Sequence, residues 1–263
     1  MRFADLDARM RAIESADDPQ VPMGRFVVAR LDGRGFTRLT KQTLDLNRPF
    51  DERFWDWMLA TATHLTEDSG FSVRFTFTQS DEISLLLDPE DNTFGRKTRK
   101  MLSVLAGEAS ARFTEAAGHR GTFDCRLSVL PNEERVVDYF RWRSADATRN
   151  ALNAVCYWTL RAEGQTRHQA TAALSGITVA DKNELLCARG INFNALPLWQ
   201  RRGCALYREW FDKDAHNPLT GEAVVVRRRK LVVNDALPMK DAFTAFLKAR
   251  LFSDGCAQTA EGR

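Results

Sequence analysis

The 263-residue sequence is poor in residues that announce a metal or disulfide framework. Its five cysteines, Cys125, Cys156, Cys187, Cys204 and Cys256, are odd in number and scattered, and none forms a C-x-x-C pair. Neither a zinc site nor a disulfide scaffold is expected from such spacing, and reduced thiols of a cytoplasmic protein are the simple reading. The four histidines, at positions 64, 119, 168 and 216, are far apart and include no H-E-x-x-H, so no histidine-based metal centre is expected. No stretch approaches the roughly 18 apolar residues of a membrane helix. Residues 1–22 are charged throughout, with no apolar signal region. The expectation is a cytoplasmic protein with no membrane partner. A P-loop and a Rossmann glycine fingerprint are both missing.

What is present is ordinary globular material: 44% hydrophobic and 28% charged residues, enough for a sizeable core. The net charge is +3 and the isoelectric point about 8.7. Such a balance permits a nucleic-acid partner without demanding one, so bound phosphates must be held by local clusters rather than a global field.

The hydrophobic pattern predicts an α+β chain. Residues 25–31 (RFVVARL) read as a strand that runs into an Asp32-Gly33-Arg34-Gly35 turn. A helix follows over 50–66, with Asp51 and Glu52 at its positive end. Residues 71–78 alternate, with Val73, Phe75 and Phe77 on one face and Arg74, Thr76 and Thr78 on the other. Gln79-Ser80-Asp81-Glu82 makes a hairpin turn into a strand over 83–87. A second helix spans 96–117 and a fourth strand 123–130. Strand, helix, strand, strand, helix, strand is the split βαβ order of ferredoxin-like sheets, shared by polymerase palms and nucleotidyl cyclases. Residues 1–131 are thus expected to be a palm-like core. Residues 132–252 add helices to about 200 and then strands at 203–209 and 222–233, the latter holding the basic run Arg227–Lys230. Residues 253–263 are small and polar and are expected to fray.

In a split βαβ sheet the first strand lies beside the third, which brings Asp32 and Asp81 toward one another. Two carboxylates about 4 Å apart repel by roughly 4 kcal/mol at an effective dielectric near 20. A shared proton, a cationic side chain or a divalent metal can relieve that. Hard oxygen donors suit Mg²⁺, and a pair of such ions serves both oxygens of phosphoryl transfer. Asp-Gly and Ser-Asp are also plain turn dipeptides. Gly33 and Gly35 would let backbone N–H groups approach phosphate. The basic helix start, Arg96, Lys97, Arg99 and Lys100, opposes the helix dipole. Bound phosphate would offset that; a solvated face is the alternative.

The residues at these positions resemble a known family. Arg30–Phe36, Pro49–Phe54, Gln79–Ser84, Phe123–Arg126, Trp142–Asp146, Asp181–Leu186, Ile191–Asn194 and Arg202-Gly203 are similar, in order, to blocks of tRNA-histidine guanylyltransferases and their bacterial and archaeal Thg1-like relatives. The resemblance covers roughly residues 4–240. It implies a palm-like nucleotidyltransferase that extends tRNA 5′ ends in the 3′–5′ direction. The end is first adenylylated by ATP and then attacked by the 3′-hydroxyl of a nucleoside triphosphate such as GTP, and a 5′-triphosphate end can be attacked directly. By the same resemblance Asp32, Asp81 and the Gly33 carbonyl hold two Mg²⁺ ions, and Gly33, Arg34, Gly35 and Phe36 lie along the triphosphate. Lys97 and Lys100 match phosphate-binding positions, and Arg48 and Ser80 match positions near the activating nucleotide. Glu82, Asn150, Asn153, Lys182, Asn183 and Asn192 fall in blocks linked to substrate handling, and a homotetramer is implied.

One block departs. The eukaryotic members carry His-Ile-Asn-Asn-Leu-Tyr-Asn where this chain reads Ala147-Thr148-Arg149-Asn150-Ala151-Leu152-Asn153. Without the histidine, template-directed repair of tRNA 5′ ends is favoured over addition of one extra guanosine to tRNA-His. A nucleotidyl cyclase with the same palm, or a tRNA-binding protein that no longer catalyses, are the other classes considered.

Overall fold

The computed structural model describes residues 2–217, 219 and 221–252; the tail expected to fray, 253–263, lies outside them. Helix α1 (Phe3–Ser15) precedes β1 (Phe26–Gly33), and a short α2 (Phe36–Arg38) runs on as a π-turn, Leu39–Thr43. Then come α3 (Glu52–Glu67), β2 (Val73–Gln79), β3 (Glu82–Leu87), α4 (Thr98–Ala117) and β4 (Phe123–Leu130). The second half adds α5 (Glu133–Ala162), α6 (Arg167–Leu174), α7 (Val179–Cys187), α8 (Leu198–Arg202), β5 (Cys204–His216), β6 (Ala223–Asn234) and α9 (Lys240–Leu251).

The strands form one antiparallel sheet in the order β4-β1-β3-β2-β5-β6. Its first four strands have the expected βαββαβ order, with β1 between β4 and β3. Because β5 pairs with β2, the second half of the chain completes the sheet rather than standing beside it. Both faces are covered. Val27, Ala29, Leu31, Ile83 and Leu85 pack with Met58, Leu65, Leu105 and Phe113 of α3 and α4. Val28, Leu86, Phe75 and Phe77 pack with Val136, Phe140, Phe243 and Leu247 of α5 and α9. The far half of α5 leaves the sheet and makes a third cluster with α6 and α7.

Three expectations are corrected. The alternation over 71–78 is broken by a register shift between Val73 and Phe75. A bulge turns strand side chains to the other face, so Val73 joins the α3/α4 core and Phe75 and Phe77 the α5/α9 core. The strand is also covered on both faces, with Thr76 buried and hydrogen-bonded to Thr66 at 2.7 Å. Helix α4 starts at Thr98, not 96. Arg96 is buried in a left-handed conformation, φ +52°, and its guanidinium donates to the carbonyls of Val21, Arg25, Pro89 and Asp91. Helices α1 and α9 escaped the sequence reading. Helix α1 has no buried residue to mark its face, whereas α9 buries Phe243, Leu247 and Leu251 at helical spacing.

Two glycines fix the end of β1. A Cβ on Gly33 would meet the Phe36 ring at 2.5 Å. Gly35 caps α2 in the left-handed region, φ +75°, where a side chain is strained. Phe36 is itself held by Phe54, Phe113 and Phe123, with ring centroids at 6.1, 4.8 and 5.0 Å. Gly33→Ala therefore must displace a locked aromatic ring, and overpacking of that kind costs about 1–3 kcal/mol. Urea unfolding of Gly33→Ala should show that loss, and adding Phe36→Leu to it should cost less than the two single losses summed. Strict additivity would show that the two sites do not press on each other.

Candidate active site

The site is built where β1 ends and β3 begins. Asp32 stands opposite Glu82 in the β1–β3 register and opposite Asp124 in the β1–β4 register. The Gly33 N–H donates to the Asp81 carbonyl at 3.0 Å, which fastens the β2–β3 hairpin to the end of β1. That hairpin has a two-residue loop, Ser80-Asp81, between paired Gln79 and Glu82. Ser80 adopts φ +51°, the positive φ that tight hairpins require. A non-glycine held there marks strain of the kind found at functional sites. The Ser80 hydroxyl donates to Asp81 Oδ1 at 3.2 Å.

Burial and then the neighbouring Asp32 carboxylate push the Asp81 carboxyl above its ordinary value. The only basic group paired with Asp32 among the described residues is Arg126, at 3.9 Å, and it also pairs with Asp124 at 3.3 Å. Among the described residues no basic side chain is ion-paired to Asp81. Nor do three or more His, Cys, Asp or Glu side chains gather anywhere among the described residues in a way that could hold a metal ion. Two carboxylates with backbone oxygen nearby make a sparse, hard donor set. That set fits Mg²⁺, which takes one or two carboxylates and completes its shell with water and substrate phosphate.

Glu82 is occupied differently. Its carboxylate accepts two hydrogen bonds from Arg143 of α5, at 2.7 and 2.9 Å, and lies 3.7 Å from Arg30. Arg143 also donates to Asp146 at 3.0 Å, and Asp146 accepts from Asn150 at 3.1 Å. A bidentate pair of this kind fixes geometry as well as charge. It ties α5 to the first residue of β3, one position beyond Asp81. Sequence reading placed Glu82 at the site but missed Arg143, although that residue lies in the Trp142–Asp146 block.

A cavity of about 320 Å³ opens beside Asp81. Phe36, Thr37, Thr40, Arg48, Ser80 and Asn150 line it, so the structure brings these residues to Asp81. One wall is aromatic: Trp55 and Trp199 are stacked, with centroids 4.9 Å apart and planes at 28°, and Phe50 meets Trp199 edge-on. Trp55 and Trp199 come from different halves of the chain, and nothing in their sequence spacing predicted the pair. Arg34 and Gly35 are exposed at the end of β1. The Phe36 ring is buried in the core and also borders the cavity.

Other expected residues lie elsewhere. Lys97 and Lys100 are next to the segment that enters β1, where the Val21 and Thr98 N–H groups bond the Arg96 and Pro19 carbonyls. That is the opposite end of β1 from Asp32, roughly 25 Å away for eight residues. The helix-start repulsion is relieved there by Asp18, which lies 3.3 Å from Lys97 and 2.9 Å from Arg99. Within one chain these lysines do not reach the carboxylate site. Lys182 and Asn183 lie on α7, where the Asn183 side chain donates to the Val179 carbonyl and the Lys182 carbonyl accepts from the Cys156 thiol. Asn192 caps a short 3-10 turn, and Asn153 is exposed on α5.

An antiparallel βαββαβ sheet with two aspartates at adjoining strand ends, beside a polar and aromatic cavity, has the layout of a palm-type nucleotidyltransferase. Two family models cover nearly the whole chain, "tRNAHis guanylyltransferase" over residues 7–131 and "Thg1 C terminal domain" over 134–239. The chain belongs to the tRNAHis guanylyltransferase family and is a nucleotidyltransferase. It is 34% identical over 203 residues to a probable tRNA(His) guanylyltransferase of Drosophila melanogaster, covering 73% of this chain and 70% of that one. It is 30% identical to the probable Dictyostelium discoideum enzyme, covering 77% and 83%. Among solved structures, a bacterial tRNA(His) guanylyltransferase (Thg1)-like protein in complex with GTP superposes with a TM-score of 0.72 at 27% identity, over 95% of this chain and 100% of that one. Among the described residues no helix is long and apolar enough to cross a membrane.

The raised Asp81 carboxyl has a consequence for stability. A carboxyl whose folded pKa lies above its unfolded value contributes stability that is complete below the unfolded pKa and is lost as pH rises through the folded one. Without metal, ionised Asp81 therefore destabilises the fold at neutral pH. Asp81→Asn should raise the melting temperature at pH 7 in chelator. The gain should shrink toward zero as pH falls below the ordinary carboxylate range. A melting temperature unchanged or lowered at pH 7 would contradict the burial of Asp81 beside Asp32 that raises its carboxyl.

Proposed function

We propose that this protein adds nucleotides to the 5′ end of tRNA in the 3′–5′ direction, with Asp32 and Asp81 holding two Mg²⁺ ions. The observation that carries the reading is the proximity of these two carboxylates, with no cation ion-paired to Asp81 among the described residues, beside a cavity of nucleotide size that Asp81 lines. The GTP and ATP complexes of structurally similar Thg1-like proteins support a nucleoside triphosphate there.

The cavity suits a nucleoside. The Trp55/Trp199 wall and Phe50 offer apolar surface to a base, and Thr37, Thr40 and Asn47 offer polar groups around it. The triphosphate then extends toward Asp81 and along Gly33 to the exposed Arg34 and Gly35. Bound Mg²⁺ supplies charge neutralisation and orientation for the phosphates. The incoming 3′-hydroxyl oxygen forms a bond to the 5′ phosphorus of the tRNA. The bond that breaks joins that phosphorus to AMP on an adenylylated end, or to pyrophosphate on a triphosphorylated one. Glu82 and Arg143 stay outside the reaction and hold the hairpin that carries Asp81.

Template-directed repair is the favoured form of this activity. Position 147, where the eukaryotic block has histidine, is an alanine only 2% exposed in the core between α5 and the sheet. No recognition side chain is available there, which leaves base pairing with the opposite strand of the acceptor stem to select the nucleotide, by placing the 3′-hydroxyl for attack. A homotetramer is part of the reading. Helix α1 supports it, because Phe3, Leu6, Met10 and Ile13 expose 40–80% of their surface along one stripe and suit burial against another subunit.

Asp32→Ala and Asp81→Ala should each lower Mg²⁺-dependent transfer by at least about 10³-fold, on the scale of losing a main electrostatic stabiliser, and near-normal turnover in either would refute the assignment. Given a tRNA lacking its first nucleotide, with the opposing base varied in turn, the wild-type protein should add the complementary nucleotide each time. Addition of guanosine alone, and only to tRNA-His, would replace the repair reading with the narrower one.

A further inference from the structure

The cavity lies on one side of the carboxylate pair, since Asp81 lines it and Asp32 does not. Helix α5 passes both sides. Trp142, Asp146, Asn150, Ala154 and Trp158 follow one another at i, i+4 spacing, a single ridge of that helix. Asn150, Ala154 and Trp158 line the cavity. Asp146 accepts from Asn150 and from Arg143, and Arg143 grips Glu82, the neighbour of Asp81. Trp142 lies beyond that grip, eight residues or roughly 12 Å along the helix from Asn150. It is on the Asp32 side: its ring centre is 5.6 Å from the guanidinium of Arg30, which precedes Asp32 by two residues on β1 and shares its face of the sheet.

Of the six tryptophans, Trp142 alone is exposed, at 53%. It is nevertheless fixed. The Arg143 guanidinium lies 4.5 Å from the ring centre, and Tyr139 meets the ring edge-on at 5.6 Å. Arg143 and Arg30 share the Glu82 carboxylate, at 2.7 and 3.7 Å, so the indole is seated on the same charged network that anchors the start of β3. Two cations held against one ring set its orientation. Among the described residues no other ring is stacked on it. Its surroundings are charged rather than apolar: Arg126 and Arg141 stand half exposed nearby, paired with the surface carboxylates Asp32, Asp124 and Asp138, which a phosphate can replace. A rigid aromatic face among arginines suits a nucleobase and its backbone. A protein partner would instead need a contiguous apolar patch.

We propose that the Trp142 indole is the stacking platform for the 5′-terminal base of the RNA, across the carboxylates from the cavity that takes the free nucleotide. The inference rests on the nucleotidyl-transfer reading for its class of ligand. Two residues of strand separate Arg30 from Asp32, about 7 Å, and a nucleic-acid strand rises about 3.4 Å per nucleotide. A base on Trp142 therefore leaves its 5′ phosphorus within one or two nucleotide steps of Asp32. The nucleoside triphosphate in the cavity approaches that phosphorus from the other side, so the reacting groups meet between two aromatic surfaces. Stacking is tolerant of base identity. A tolerant contact is what repeated addition requires, because each cycle presents a new terminal base in the same place. Trp142 is thus a positioning residue, aligning the end for attack.

The test is binding rather than turnover. An acceptor-stem RNA hairpin with 2-aminopurine as its 5′-terminal base reports stacking by loss of fluorescence, and unlabelled hairpins with each terminal pair report affinity. The wild type should quench the probe on binding. Trp142→Leu should bind every hairpin at least roughly tenfold more weakly and lose the quenching, and Trp142→Phe should restore most of both. No charge is removed, so the salt dependence of binding should keep its slope, and GTP affinity should stay as it was. Matching melting curves establish that the variants fold. A hairpin with 5-iodouridine at the terminal position should cross-link to Trp142 of the wild type, which tests the contact without any substitution. Equal RNA affinity and quenching in wild type and Trp142→Leu, or a cross-link that avoids Trp142, would overturn the platform. So would an equal loss for RNA and GTP, which marks a structural role, or subunits that separate in Trp142→Leu, which gives the ring to a second copy of the chain. A wild type whose nucleotide transfer ignores the substitution overturns the platform and keeps the functional reading. A wild type that stacks the RNA end on Trp142 yet transfers no nucleotide overturns the functional reading and keeps the platform.

Discussion

The structure is organised around an electrostatic conflict at one end of a sheet. Pairing of β1 with β3, together with the Gly33 N–H bond to the Asp81 carbonyl, forces Asp32 and Asp81 together. The backbone hydrogen bonds, and the packing of Val27, Leu31, Ile83 and Leu85 beneath them, outweigh the repulsion between the two side chains. Like-charge proximity kept by a well-packed scaffold is how proteins prepare a site for a cation. Much of the surrounding sequence serves that end. Gly33 makes room for Phe36, Phe36 is clamped by three further rings, and Ser80 accepts a strained turn so that Asp81 follows directly upon it.

A second layer keeps this arrangement from relaxing. Arg143 reaches from α5 to Glu82 and, through Asp146, to Asn150 on the cavity wall. The side of the sheet that carries the carboxylates is thus joined to the helix that walls the cavity. Further along the same helix, Trp158 orders Arg48 and Lys41. One 30-residue helix therefore positions both the negative and the positive ends of the cavity. Both halves of the chain are needed to close it, since Trp55 comes from α3 and Trp199 from α8.

The order of the palm elements was legible because each is a single periodic segment with turn chemistry at its ends, and the split βαβ rule then places β1 beside β3 without further information. The meeting of Asp32 with Asp81 followed from that rule. Side-chain pairings between distant segments were not legible, because no local pattern encodes them: Glu82 with Arg143, Trp55 with Trp199, and Asp18 with Lys97 and Arg99. Asp18, which pairs with Lys97 and Arg99, lies some eighty residues earlier in the chain, so nothing local announces it. The bulge at β2 was hidden for a related reason, since the residues of a strand buried on both faces do not reveal which core each one enters.

The account stands or falls on whether Asp32 and Asp81 together bind a divalent cation. The direct measurement is electron paramagnetic resonance of Mn²⁺ titrated into the protein with GTP present, for the wild type and for Asp32→Asn and Asp81→Asn. Isosteric amides remove the charge and leave the shape. The wild type should bind Mn²⁺ competitively with Mg²⁺, and each amide variant should lose that binding while keeping its fold. Mn²⁺ binding of equal strength in all three proteins would contradict the account.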